Sequence, residues 1–185
     1  MLKLPAFCAL LVALVAPAAI SADITGVVRL EGQSDNSNVV VYVDGPVAIP
    51  SGFVAPKAKL VNRDKTFLPE VLPVFVHSKM EVSNEDDLFH NTYSVSPSNK
   101  FDIPLRRKGD SGEVELANPG RVDVFCMIHR DMHAVVLVLR NPYFAVTGAD
   151  GSFEIKDIPA GTYEVEAWQE RLGSKKASIT IAFVI

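Results

Sequence analysis

The sequence predicts an all-β protein, and two observations support this. Short runs of β-branched and aromatic residues, bounded by Gly, Pro, Asn and Asp, recur along the whole chain. No stretch shows a sustained helical period together with helix-capping residues. The runs that predict strands are residues 27–30, 39–43, 74–76, 122–126, 134–139, 153–155, 163–167 and 179–184. Their short length and close spacing are typical of a β-sandwich.

The N-terminal segment is typical of a secretory signal peptide. Lys3 precedes an apolar stretch, residues 4–19, which two prolines interrupt, and the small residues Ser21 and Ala22 follow it. We therefore predict that residues 1–22 are a signal peptide cleaved after Ala22. The apolar stretch is too short for a membrane span, and no other segment approaches the roughly 20 apolar residues that a span needs. We expect the mature protein to be periplasmic or secreted, without a membrane span.

Size and charge limit the remaining function classes. Removal of 22 residues from 185 leaves 163, which is enough for one ordinary domain or two small ones. The signal peptide contains one lysine and no acidic residue, so the net charge falls from −4 to −5. Nucleic-acid binding would require a basic face, and the sequence gives no sign of one.

Cysteine use is informative, because the chain has only two cysteines. Cys8 lies in the predicted signal peptide, so the mature protein keeps Cys126 alone. An unpaired thiol is unusual in an oxidising compartment. Cys126 could be an inert buried residue, half of an intermolecular disulfide, or a metal ligand. The residues that surround it favour a ligand.

The segment after the strand at 122–126 contains further candidate ligands. The period-two alternation of a strand places Cys126 on the inward face, at the end of the strand. His129 and Met132 follow at intervals of three residues in the next loop, near enough to converge with the thiol on one atom. A fourth candidate, His90, follows the strand region at 74–82, so a neighbouring strand end can bring it alongside.

Two imidazoles, a thiolate and a thioether form a soft, mixed donor set. Thiolate and thioether favour Cu(I), imidazole serves both copper states, and a trigonal His-His-Cys site with a long axial Met is the blue-copper arrangement. Zinc is the principal rival, but structural zinc sites usually come with paired Cys or His motifs. The sequence therefore predicts one copper ion, cycling between Cu(I) and Cu(II), held by His90, Cys126, His129 and Met132.

The other two histidines receive weaker interpretations. His77 has no partners at a suitable spacing, so we assign it no function. His133 follows Met132 directly and would point the opposite way if a strand has begun there; it stays an alternative ligand. Between residues 89 and 114 the chain is polar and turn-rich, and we expect loops with at most one weak strand or a short helical turn. The basic run at 106–108 predicts a solvated turn.

The motifs of the central region resemble those of cupredoxins, in the order typical of plastocyanin-like and amicyanin-like proteins. These motifs comprise Asn62, Phe67 and Pro69, then Asn84 and Asp86, then the His90-Asn91 pair, and finally Cys126-x-x-His129-x-x-Met132. The resemblance implies a Greek-key cupredoxin sandwich and electron transfer through the ring edge of His129. It also implies that the backbone of Asn91 donates a hydrogen bond to the Cys126 sulfur.

The flanking segments resemble a different family, the carboxypeptidase regulatory-like or transthyretin-like modules. Residues 149–168 contain a tight Asp150-Gly151 turn between predicted strands, and residues 23–47 match the opening hairpin of such a module. The resemblance implies a second small β-sandwich, into which the first is inserted or to which it is fused. We therefore predict module strands at 23–54, a cupredoxin domain at 55–145 and the remaining module strands at 146–185. A sheet shared by the two stays an alternative.

A site filled by four protein ligands leaves no position for substrate, so we predict that the protein is not an enzyme. A multicopper oxidase or nitrite reductase would need further histidine clusters, and the chain has only four histidines. We expect an electron carrier between extracytoplasmic protein redox partners. The alternatives are a copper storage or delivery protein, and a β-sandwich binding module with a structural metal site.

Overall fold

The structure is a computed structural model that describes residues 21–170 and 177–184. Within these residues the regular structure is entirely β, which confirms the predicted fold class. The strands are β1 (Ser21–Leu30), β2 (Val40–Asp44), β3 (Ala58–Arg63), β4 (Thr66–Leu68), β5 (Val71–Phe75), β6 (Lys79–Asn84), β7 (His90–Ser94), β8 (Phe101–Arg106), β9 (Ser111–Glu115), β10 (Gly120–Phe125), β11 (His133–Leu139), β12 (Phe144–Val146), β13 (Ser152–Pro159), β14 (Glu164–Trp168) and β15 (Ala177–Val184).

The predicted signal peptide lies almost entirely outside the described residues. Only its last two residues, Ser21 and Ala22, are described, and they begin β1. In the part of the chain that the structure describes, no helix is long and apolar enough to cross a membrane.

Two sheets of the middle region face each other as a β-sandwich. One has the strand order β4-β3-β6-β9 and the other the order β5-β11-β10-β7-β8. Alternate side chains of both sheets meet in a common core that includes Leu60, Phe67, Met80, Val124 and Val136. Burial of this apolar surface is the main force that holds the two sheets together.

The flanking strands form a second pair of facing sheets, with the orders β13-β1-β15 and β12-β2-β14. Their core includes Val28, Val41, Phe153 and Ile155. The predicted Asp-Gly turn precedes β13, and Gly151 has a φ of 79°. A side chain at Gly151 would also collide with the Val28 carbonyl, 2.1 Å from the position of its Cβ, so this turn requires glycine.

A third, smaller apolar cluster joins the two pairs of sheets. Val40 of β2 packs there with Val71 of β5 and with Leu137 and Leu139 of β11. Among the described strands, none of the flanking group pairs with a strand of the middle group. The structure therefore shows no shared sheet in the described residues, whereas the exact domain boundaries at 54 and 145 stay a prediction.

The prediction of loops between residues 89 and 114 was wrong, because this segment contains β7, β8 and β9. β8 and β9 are the edge strands of their sheets. An edge strand with one face in solvent carries many polar residues, and β8 even contains Pro104, which edge positions tolerate. The apolar alternation that reveals a central strand is therefore weak here.

The interpretation of the basic run at 106–108 as a solvated turn was also wrong in part. Arg107 and Lys108 are exposed, as predicted, but Arg106 is the last residue of β8 and is only 6% exposed. Sequence cannot separate these neighbours, because alternate residues of a strand face opposite sides and the strand itself was not predicted.

Candidate metal centre

The ends of three strands bring the candidate ligands together. β7 and β11 both pair antiparallel with β10. Phe125, the last residue of β10, lies opposite His133 at the start of β11 and opposite Tyr93 of β7, so the first residues of β7 extend past the end of β10. His90 begins β7, and Cys126 directly follows β10. The loop that carries His129 and Met132 then leads into β11. Val122 and Val124 are fully buried and Cys126 is 4% exposed, which confirms the predicted inward face.

Three of the four predicted ligands converge on one point. The Nδ1 atoms of His90 and His129 lie 3.1 Å apart. The Cys126 sulfur lies 3.8 Å from each of these two nitrogens. Two groups of described side chains are spaced closely enough to hold a metal ion. The more buried of the two consists of His90, Cys126 and His129.

These separations suit a metal ion. Zinc, for example, binds nitrogen at about 2.0 Å and sulfur at about 2.3 Å. Three donors at these distances, evenly spaced around an ion in one plane, lie about 3.5 to 3.7 Å from one another. The observed separations of 3.1 and 3.8 Å are close to these values. The donor set therefore fits a transition metal with only a small adjustment of the side chains.

Met132, the predicted axial ligand, lies in the protein core. It is 1% exposed and belongs to the same core cluster as Cys126. A turn positions it, because its backbone N–H donates to the carbonyl of His129, 3.1 Å away. Its ligand function stays a prediction, and its burial in the same core cluster as Cys126 is compatible with it.

Asp86 fixes the orientation of the His90 ring. The Nε2 atom of His90 lies 2.8 Å from a carboxylate oxygen of Asp86, and the His90 side chain is fully buried. A metal-binding histidine commonly donates its second ring N–H to a carboxylate, which fixes the tautomer and leaves the other nitrogen free for the metal. The contact therefore presents Nδ1 of His90 to Cys126 and His129.

A turn between β3 and β4 holds Asp86 in place. The backbone N–H groups of Asp64 and Lys65 donate to its two carboxylate oxygens at 2.6 and 3.0 Å. Burial acts to raise the pKa of this carboxyl, but the hydrogen bonds from Lys65, Asp64 and His90 outweigh it, so the pKa lies below its usual value. Asp86 is therefore a charged acceptor at neutral pH.

Burial also controls the protonation of His90. Loss of water contact lowers the pKa of His90, the hydrogen bond that its ring donates to Asp86 opposes this, and the charges of His129 and Arg106 add to the lowering. The net result is a pKa below the usual value, which favours the neutral imidazole at neutral pH. Metal binding requires this neutral form.

Asn91 links the thiol to the loop that follows it. Its side-chain oxygen accepts a hydrogen bond of 2.7 Å from the Met127 backbone N–H and a longer contact of 3.6 Å from the Cys126 thiol. The resemblance implied a bond from the Asn91 backbone to the sulfur, whereas the contact that the structure shows involves the side chain. Asn91 is 4% exposed, so these bonds are shielded from water.

His133, the alternative ligand, points away from this centre. Its ring stacks on Phe125, with 5.0 Å between the ring centroids, and its Nε2 lies 3.0 Å from Asp123. Asp123, His133 and Glu170 form a second group with metal-like spacing. Arg121 already neutralises both carboxylates, with contacts of 2.6 Å to Asp123 and 2.8 Å to Glu170. His77 is exposed and pairs with Glu115.

Two residues beside the centre were not predicted as functional. Asp86 belonged to a quoted motif, and its spacing of four residues from His90 was the available signal. Arg106 was assigned to a turn, although it is buried and is the cross-strand partner of His90. Only the pairing of β7 with β8 reveals this relationship, and the sequence analysis predicted at most one weak strand in this segment.

Exposed apolar side chains flank the ligands along the chain. Phe89, directly before His90, is 57% exposed, and Met127, directly after Cys126, is 65% exposed. Leu88 and Ile128 are also exposed. His129 is partly exposed, so the centre reaches the surface among apolar residues. Arg130 and Asp131, which follow in the loop, are exposed and charged.

No protein-family model matches the chain, and no curated protein matches it in sequence. Among solved structures, a Cu-containing nitrite reductase from Thermus scotoductus is 25% identical, with 52% of this chain and 26% of that chain covered and a TM-score of 0.44. A purple cupredoxin from Nitrosopumilus maritimus is 22% identical, covering 44% of this chain and 99% of that one, with a TM-score of 0.40. A mutant of amicyanin in its Cu(I) form is 17% identical, covering 53% and 97%, with a TM-score of 0.42. The chain thus spans about a quarter of the nitrite reductase.

Proposed function

We propose that this protein is a mononuclear blue-copper protein of the cupredoxin type that carries single electrons between protein partners outside the cytoplasm. The observation that supports the proposal is the convergence of His90, Cys126 and His129, with Met132 buried in the same core cluster as Cys126. The predicted signal peptide supports the location, and the order of motifs in the sequence supports the family.

The donor set favours copper over its rivals. Imidazole nitrogen binds several transition metals, but a single thiolate with a thioether selects soft copper rather than a hard ion such as magnesium. A structural zinc site would be expected to have four Cys or His ligands, and the centre contains three. The fourth position is left to the weak sulfur of Met132.

The surroundings of the centre suit electron transfer. The carboxylate of Asp86 fixes the His90 ring, and the side chain of Asn91 fixes the start of the ligand loop. Because protein contacts hold these groups before metal arrives, a change of oxidation state requires little rearrangement. Small rearrangement favours fast electron exchange in both directions.

The partner is expected to dock at the ligand loop. His129 is the most exposed of the three converging ligands, so its ring gives the shortest path from the centre to the surface. The exposed Phe89 and Met127 offer apolar contact area nearby. Arg130 and Asp131 add one charge of each sign, which favours a partner with a mixed rather than a strongly charged surface.

The experiment that tests this proposal is a visible and electron-paramagnetic-resonance spectrum of the purified protein after addition of Cu(II). An intense thiolate-to-copper charge-transfer band with narrow copper hyperfine splitting is expected. Cys126→Ser should abolish the band, because the hydroxyl of serine does not supply a thiolate. A colourless protein, or a variant that keeps the colour, would contradict the assignment.

A second measurement separates electron transfer from copper storage or delivery. An electron carrier retains its ion, so transfer of Cu(I) to a competing chelator should be slow compared with electron exchange. Rapid and complete transfer of the ion, together with slow electron exchange, would contradict the carrier function and favour delivery.

A further inference from the structure

Arg106 carries a positive charge that the fold encloses without an anionic partner. Its side chain is 6% exposed, and Nη2 donates to the hydroxyl of Thr92 at 3.1 Å. Its Nε and Nη1 atoms are buried and have no hydrogen-bond partner within the described residues. Among these residues no carboxylate forms an ion pair with the guanidinium. The charge of Asp110 acts on Arg106 from a distance, but Asp110 forms its ion pair with Arg107.

An enclosed charge of this kind lowers the stability of the folded protein, so its presence calls for a functional explanation. A buried charge ordinarily has a counter-ion and a full set of hydrogen bonds, because loss of water contact destabilises it strongly. The neighbouring strand β9 nevertheless leaves room for the guanidinium, because a Cβ at Gly112 would lie only 2.9 Å from Nη1 of Arg106. The absence of a side chain at Gly112 leaves the space that the guanidinium fills.

The enclosed charge lies beside the first ligand of the centre. Arg106 is the cross-strand partner of His90, and Thr92, which accepts its hydrogen bond, is two residues further along the same strand. Residues opposite each other on paired strands have Cβ atoms about 5 Å apart. The Asn84 amide donates to the Arg106 carbonyl at 2.9 Å and to the Leu88 carbonyl at 2.7 Å, which fixes this strand end against the segment before His90.

We propose that Arg106 raises the reduction potential of the copper centre. This inference rests on the proposed function. In the reaction Cu(II) + e⁻ → Cu(I), the ion takes one electron from the partner protein and loses one unit of positive charge, with no proton transferred. A fixed positive charge nearby therefore destabilises the oxidised form more than the reduced form. Because the charge is buried, dissolved salt screens this effect only weakly.

The test compares reduction potentials of the copper-loaded protein and its variants. Arg106→Met removes the charge and keeps much of the side-chain volume. We expect the ratio of Cu(I) to Cu(II) affinity to fall about tenfold, which corresponds to a potential lower by about 59 mV for one electron. Arg107→Met is the matched control, because it removes an exposed charge one residue away and should leave the potential unchanged. Arg106→Lys keeps a charge and should retain most of the potential.

Stability of the metal-free protein gives a readout that does not depend on copper. Removal of an unpaired buried charge should raise the urea midpoint of Arg106→Met above that of the unmodified protein, and Arg107→Met should not. A lower midpoint in a variant that folds would show that the guanidinium stabilises the protein, which contradicts the premise of an uncompensated charge and would overturn the proposal. If the methionine variant does not fold, Arg106→Gln applies the same test with a polar side chain.

The outcomes distinguish this inference from the function on which it rests. Absence of the thiolate charge-transfer band in the unmodified protein would overturn the proposed function itself. A normal band in both proteins with an equal potential in Arg106→Met would overturn the proposal for Arg106 and leave the copper centre intact.

Discussion

The rings of His90 and His129 meet through their Nδ1 atoms, 3.1 Å apart, although 39 positions separate the two residues in the chain. Nε2 of His90 is occupied by Asp86, so the nitrogen that faces His129 is the one free to bind a metal. Protein contacts therefore present the donors of the centre to each other, and these contacts can be tested one at a time.

The contact between Asp86 and His90 should control metal affinity. Asp86→Asn keeps the shape of the side chain but removes the charge that holds the ring N–H. We expect copper affinity to fall by about 10- to 100-fold, as for other residues that orient a metal-binding histidine. Competition with a Cu(I) chelator measures the affinity.

Asp87→Asn is the matched control for this variant. Asp87 lies next in the chain but is highly exposed and pairs with Lys108. Its replacement should leave the affinity unchanged. Equal affinities for Asp86→Asn and the unmodified protein would show that the carboxylate does not orient the ring.

The bonds made by Asn91 should contribute to both stability and the centre. Asn91→Ala leaves the Met127 N–H without its acceptor, and an unsatisfied group of this kind costs about 1 to 3 kcal/mol. Urea unfolding of the metal-free protein measures this loss. Because the same side chain contacts the Cys126 thiol, the charge-transfer band of the copper-loaded variant should shift as well.

Asn99→Ala is a suitable comparison, since Asn99 makes two hydrogen bonds to the backbone of Asn118 and contacts none of the ligands. It should lower stability to a similar extent and leave the spectrum unchanged. A shift of the band in both variants would mean that a general loss of stability, rather than the Asn91 contact, changes the centre.

Strong local patterns explain which parts of this molecule the sequence predicts. The strands with continuous or alternating apolar residues, such as β10 and β11, were predicted because their side chains fill the core. The same alternation placed Cys126 inward. Spacing alone predicted that His129 would approach the thiol, because three residues in a short loop cannot lie far from the strand end.

The parts that were missed depend on pairing between distant segments. Polar edge strands such as β8 carry little apolar signal, so their side chains could not be assigned to a face. Arg106 illustrates the consequence: its burial beside His90 follows only from the register of β7 with β8, which lies outside any local pattern. Asp86 was visible as a motif residue, but its bond to His90 required the fold.

Acid should destabilise the metal-free protein through His90. Its pKa in the folded state lies below the value of about 6.5 in an unfolded chain. As the pH falls through 6.5, the unfolded chain binds a proton that the folded protein resists, so the free energy of unfolding decreases. The slope from this one group is at most about 1.4 kcal/mol per pH unit, and it ends once the pH passes the folded-state pKa.

Urea unfolding of the metal-free protein between pH 7.5 and 5 measures this slope, and His90→Asn isolates the contribution of His90. The variant should lose less stability over this range than the unmodified protein. Parallel stability curves would indicate that His90 protonates equally in both states, in conflict with its burial and with the lowered pKa.

Met132 is the predicted ligand with the least structural support, because the structure shows only that it is buried in the same core cluster as Cys126. Its replacement therefore tests the complete ligand set most directly. Met132→Leu conserves the volume of a side chain that is 1% exposed, so it should change stability by less than about 1.5 kcal/mol. If the thioether is the axial ligand, its loss removes a donor that stabilises Cu(II), and the reduction potential should rise while copper stays bound. Met80→Leu is the matched control, because Met80 is fully buried in the same core cluster but lies in β6, outside the ligand loop. A rise in potential for Met132→Leu alone identifies the axial ligand, whereas equal potentials in both variants would assign that position to another group.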